Sequence, residues 1–92
     1  MRVLHLIIQR KWFDQIASGD KRHEFREAKP YWARRLEGKA FDQVQFRCGY
    51  ASSAPSMLVE CRGISKGTWL GRPAYIIALG QVLETKNYPG AG

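Results

Sequence analysis

Three runs in the second half of the chain constrain the fold most. In 41–48, Val44, Phe46 and Cys48 fall on one side and Gln43, Gln45 and Arg47 on the other. In 57–64, Met57, Val59 and Cys61 alternate with Leu58, Glu60 and Arg62. The run 75–84 is apolar through Leu79. A period of two is a strand signal. The polar loop 49–56, with Tyr50 and Pro55, and a second loop expected over 67–73, carrying Trp69, are of hairpin length, too short for crossover helices. Such connections favour antiparallel pairing.

The first half interleaves strands with short helices. Residues 3–8 are apolar apart from His5, which predicts a strand buried on both faces. The period then changes over 10–18, where Trp12 and Ile16, and Phe13 and Ala17, are four apart. That spacing makes an amphipathic helix of about two turns. Gly19 supplies a left-handed stop. Residues 21–27 alternate again, with His23 and Phe25 on one face and Arg22, Glu24 and Arg26 on the other. Pro30 suits the first position of a helix running over 31–37, with Trp32 and Leu36 as its buried stripe and Gly38 as its stop. The tail 85–92 is expected to fray.

The expected architecture is therefore one α+β domain, a small five-stranded β-barrel with two short helices. Ninety-two residues are one domain's worth, and a chain of this size buries only about 60% of its unfolded surface. A hydrophobic fraction of 45% is nonetheless enough for a core. No apolar run approaches the roughly 20 residues of a membrane span, and residues 1–8 read as a strand, not as a signal peptide, so a cytoplasmic location is expected. Cys48 and Cys61 form neither a disulfide framework nor a zinc set and are expected as reduced, part-buried thiols. His5 and His23 have no metal spacing, and neither a metal nor a cofactor is expected.

Fifteen Lys and Arg against eight Asp and Glu leave a net charge of +7, which suits a polyanionic partner. The densest cluster of functional side chains is 19–26. Lys21 stands at a helix–strand junction, and Glu24 and Arg26, two apart on a strand, project to one side. A carboxylate between two cations is one reading of this segment. A solvated outer strand face with alternating charges is the other. Tyr31 and Trp32 could stack on a base, Trp32 also being placed to pack in the core. Arg34 and Arg35 form a basic pair that is solvated by default and a phosphate contact otherwise.

The run Gly19-x-Lys21-x-x-Glu24-x-Arg26 resembles the GxKxxExR motif of the ASCH domain family, whose β-barrel is related to the PUA domain. The likeness continues through Lys29-Pro30-Tyr31-Trp32, Arg34-Arg35-Leu36, Phe46-Arg47-x-Gly49-Tyr50 and Ala54-Pro55-x-Met57, as in small single-domain phage and bacterial members. The resemblance implies a PUA-like barrel with a cleft that binds RNA or a modified nucleotide, lined by Lys21, Glu24 and Arg26. Arg47 and Tyr50 would form the facing wall, with Tyr31 and Trp69 as further ligand-binding aromatics. Some family members are hydrolases. One group removes the acetyl group of N4-acetylcytidine with a lysine, a threonine and a glutamate. Lys21 matches the first, Glu24 stands at the threonine position, and Glu60 could replace the glutamate only by geometry. Another group resembles metal-independent ribonucleases, for which Lys21 and Tyr50 are candidates. On the enzyme reading Lys21 and Glu24 are the catalytic pair. A third reading is a phage accessory protein that binds a host protein through Trp69 and the loops.

Overall fold

The computed structural model describes residues 1–88. In chain order the elements are β1 (Val3–Ile7), α1 (Arg10–Ser18), β2 (His23–Glu27), α2 (Pro30–Leu36), β3 (Gln43–Arg47), β4 (Ser56–Trp69) and β5 (Arg72–Lys86). They form a small α+β domain with one mixed sheet, ordered β1-β3-β4-β5-β2. β1 runs parallel to β3, and the other pairs are antiparallel. Among the described residues no helix is long and apolar enough to cross a membrane.

The long β4–β5 hairpin bends the sheet. Its register shifts between Leu58 and Val59, Val59 and Cys61, and Cys61 and Gly63. Each shift sets an unequal number of residues against the partner strand, which kinks and twists the ribbon. The sheet curls into a half-barrel and stops short of closure. β1 and β2 are its two edges, and among the described residues no backbone ladder joins them. A side chain spans the seam instead: Arg26 Nη2 donates to the Ile7 carbonyl at 3.3 Å.

The core lies inside the curl. Leu4, Leu6, Val44, Phe46, Met57, Val59, Ile77 and Leu79 meet Phe13 and Ile16 of α1 and Leu36 of α2. β1, β3 and the start of β4 alternate as the period of two requires, and in β5 Ala74 and Tyr75 are buried side by side. Gly19 ends α1 at φ +88°, its amide donating to the Ile16 carbonyl at 3.1 Å.

Four expectations are corrected. β1 is buried on one face only, because it is an edge strand whose outer side, His5 and Ile7, no element covers completely. Trp12 lies outside the core, 38% exposed, with Lys11 and Lys21 over its ring. Residues 67–73 are not a loop. β4 and β5 stay paired to Trp69 and Arg72, and Leu70 and Gly71 alone make the turn. The tail is not frayed as far as it is described. Thr85 and Lys86 pair with Met57 and Ser56. The Tyr88 ring packs edge-on against Phe13, with centroids 5.0 Å apart, and its hydroxyl donates to Asp14 Oδ1 at 2.7 Å. Arg10 pairs with the same carboxylate, and together Arg10 and Tyr88 hold the Asp14 carboxyl below its ordinary range. Residues 89–92 of the expected tail lie outside the described residues.

The turn carries a testable strain. Both central residues have positive φ, +53° at Leu70 and +75° at Gly71, as a two-residue hairpin of type I′ demands. Glycine adopts this freely. Leucine does not, and its side chain is 81% exposed and gains little from packing. Leu70→Asn, the residue such turns favour, is expected to raise stability by about 1 kcal/mol. Thermal denaturation should show a melting temperature higher by about 4–8 °C. An unchanged or lower value would mean that the leucine is held by contacts that offset the strain.

Candidate functional site

The alternation in β2 brings its charged side inward. Glu24 is level with Ile77 and Arg26 with Tyr75, and both of those β5 residues are buried. Glu24 is only 5% exposed. A buried carboxylate needs partners, and it has two. Lys21 Nζ stands 3.5 Å from Oε1, and Arg26 Nη1 stands 2.5 Å from Oε2. The segment is therefore not a solvated outer face. Its opposite side carries the apolar contact, Phe25 stacked on Trp69 with centroids 5.7 Å apart and planes 9° from parallel.

Beyond Arg26 lies a groove of about 490 Å³ at the seam. β1 and β3 provide one wall. Their inward residues fill the core, which turns His5, Ile7, Gln45 and Arg47 outward into the groove. The parallel register sets His5 beside Gln45 and Ile7 beside Arg47. Arg26 enters across the seam. α2 presents Tyr31, Trp32 and Arg35, and the β3–β4 connection presents Tyr50. Among the described residues no carboxylate lines this groove.

Cations and rings are interleaved along it. The Trp32 ring has the Arg26 guanidinium at 5.2 Å and that of Arg35 at 5.7 Å. Tyr31 meets Trp32 edge-on at 4.9 Å and lies under Arg35 at 5.4 Å. Trp32 also packs against the core, so it belongs both to the core and to the groove lining. Tyr31 is half-exposed, with Arg35 over one face of its ring, and Tyr50 is 88% exposed, its ring open to solvent. Arg47 Nη2 donates to the Ala51 carbonyl at 2.7 Å, which ties down the connection that bears Tyr50. Arg26 Nε and Arg47 Nε are buried with no hydrogen-bond partner among the described residues. Buried donors are normally satisfied, so these two are exceptions in the wall of the groove.

Of the residues singled out in the sequence, Arg26, Tyr31, Arg47 and Tyr50 meet in this groove. Lys21 and Trp69 do not line it. Lys21 borders a separate hollow of about 300 Å³ with Ser18, Arg62 and Gln81, its ammonium over the Phe25 ring at 5.0 Å. Trp69 is engaged with Phe25. Glu24 lies behind Arg26, both of its oxygens occupied. Glu60 accepts from the Gln81 amide at 2.8 Å and pairs with Arg62, contacts that hold its carboxyl below the ordinary range. His23 is exposed beside Phe25. Arg35 and not Arg34 faces the groove.

Sequence reasoning missed His5, Ile7 and Gln45. Gln45 and Arg47 did show as a polar strand face. What was not legible is that β1 pairs in parallel with β3 and doubles that face. Cys48 and Cys61 are free and half-buried, and burial pushes the Cys48 thiol up. Among the described residues no three His, Cys, Asp or Glu side chains converge on a metal position. No family model matches the chain, and no curated protein or solved structure is detectably similar to it.

Proposed function

We propose that the protein is a PUA-like, ASCH-type RNA- or nucleotide-binding domain whose ligand lies in the groove at the β1–β2 seam. The observation that carries this reading is the groove's lining: Arg26, Arg35 and Arg47 with Tyr31, Trp32 and Tyr50, and no carboxylate among the described residues. Arginine meets phosphate in a bidentate fork, and exposed aromatic rings stack on bases. The net charge of +7 adds long-range attraction for a polyanion. The GxKxxExR-like run enters as support for the groove. Glu24, pinned between Lys21 and Arg26, orients the arginine and acts as a positioning residue. Such a ligand is compatible with the cytoplasmic location expected from the sequence.

The test is binding of a fluorescent single-stranded oligouridylate, followed by anisotropy between about 50 and 200 mM salt. Three arginine–phosphate contacts predict a log–log slope of about −2, at about −0.7 per phosphate on a single strand. Absence of binding at the lowest salt, or a slope near zero, would overturn the proposal.

A further inference from the structure

The groove does not end at Arg47. A second hollow of about 320 Å³ shares His5, Gln45 and Arg47 with it and continues to Ser52, Ser56 and Lys86. The sheet register explains the continuity. Ile7 is level with Arg47, Arg47 with Ser56, and Ser56 with Lys86. Arg47, Ser56 and Lys86 therefore form one row across β3, β4 and β5, their side chains on the same face. Two strand spacings separate the backbones of Arg47 and Lys86, about 10 Å, which is too far for the two to serve a single phosphate without both bending inward. Among the described residues no carboxylate lines the second hollow either. Lys86 has a weak ionic partner in Glu84, at 3.8 Å with both side chains more than half exposed. Such a pair leaves the ammonium free for a ligand at little cost.

We infer that Lys86 and Ser56 form a second phosphate subsite, so that the ligand is a single-stranded polynucleotide running across the sheet from the Tyr31–Arg35 end to Lys86, and not a mononucleotide. This rests on the groove reading proposed above and adds the direction and minimum length of the ligand. The row Arg47–Ser56–Lys86 supplies a cation, a hydroxyl and a cation in line. A sugar–phosphate backbone carries one anion per nucleotide and can present one phosphate to Arg47 and another to Lys86. A free nucleotide engages one end only.

The probes are uridine 5′-monophosphate and the di-, tetra- and hexanucleotides of uridylate, measured by calorimetry against the wild type, Lys86→Ala and Lys86→Arg. In the wild type the affinity is expected to rise at least about tenfold from the monophosphate to the tetranucleotide, because the second contact is made intramolecularly. Lys86→Ala should abolish most of that gain and leave the monophosphate affinity within about twofold, while Lys86→Arg retains the gain. Thymidylate oligomers should show the same length effect, since the subsite reads phosphate. Equal affinity for all lengths, a length gain that survives Lys86→Ala, or a gain confined to RNA would each overturn the second subsite and leave the groove standing. Failure of every probe to bind at low salt would overturn the groove reading itself.

Discussion

Arg26→Met is expected to be the most destabilising change among the polar residues. It removes the closer of the two cations that face the buried Glu24 and leaves Lys21 alone at 3.5 Å. Breaking a buried ion pair from one side costs about 3–5 kcal/mol, because the remaining charge stays buried without compensation. Arg26 keeps some exposure, so the lower end, about 3 kcal/mol, is expected. For a domain of this size the melting temperature should drop by more than about 10 °C. The same variant loses the Arg26–Ile7 bond across the seam. A double variant, Glu24→Leu with Arg26→Met, separates the two effects. An apolar pair leaves no buried charge, so stability should recover by more than half if the unpaired carboxylate is the cause. If Arg26→Met melts like the wild type, the triad does not hold the fold together at this edge.

The second large effect concerns binding, and it divides the motif. Arg35→Ala and Arg47→Ala remove guanidinium groups that line the groove, and each should weaken oligouridylate binding at least about tenfold, or about 1.4 kcal/mol. Lys21→Ala should change affinity by less than about threefold. Its ammonium faces Glu24 and the Phe25 ring and borders another hollow, so it reaches the ligand only through Glu24 and Arg26. Anisotropy titrations of the three variants, with circular dichroism to check folding, decide the matter. A tenfold loss in Lys21→Ala with no loss in Arg35→Ala and Arg47→Ala would move the site to the Lys21 side of β2.

The hydrolase reading finds less in the geometry than the binding reading. A general acid or base must reach the substrate. Glu24 is enclosed, with both oxygens engaged, and Glu60 serves the bend between β4 and β5. The surface at Trp69 is also less open than a loop tip would be, since its ring is stacked on Phe25. Leu70 is the more exposed apolar residue of that hairpin.

Local periodicity determined the order and type of the elements. Phe13 and Ile16 on one helical face, Val44 and Phe46 on one strand face, and Gly19 as a stop are statements about neighbours within a turn or a pleat, and side-chain burial followed them. The hairpin was misjudged because Gly67, Gly71 and Pro73 all read as loop residues, whereas a two-residue turn needs positive φ only at Leu70 and Gly71. The tail was misjudged because its anchor is non-local: Lys86 pairs with Ser56, and Tyr88 bonds Asp14, 74 residues away.

The candidate site was legible as a set of residue types and not as a place. Arg26, Tyr31, Arg47 and Tyr50 could be named from chemistry and resemblance. Whether the charged side of β2 meets water or the interior could not be read from an alternating pattern, which is the same in both cases. The curl of the sheet decides it by setting Glu24 beside the buried Ile77 and carrying Arg26 to the edge of β1. The parallel pairing of β1 with β3 likewise converts a lone histidine and a polar strand face into a groove wall. Composition and spacing act through the chain, and they determined which side chains this protein has to offer. Register and curvature act through space, and only they decided which of those side chains share one groove.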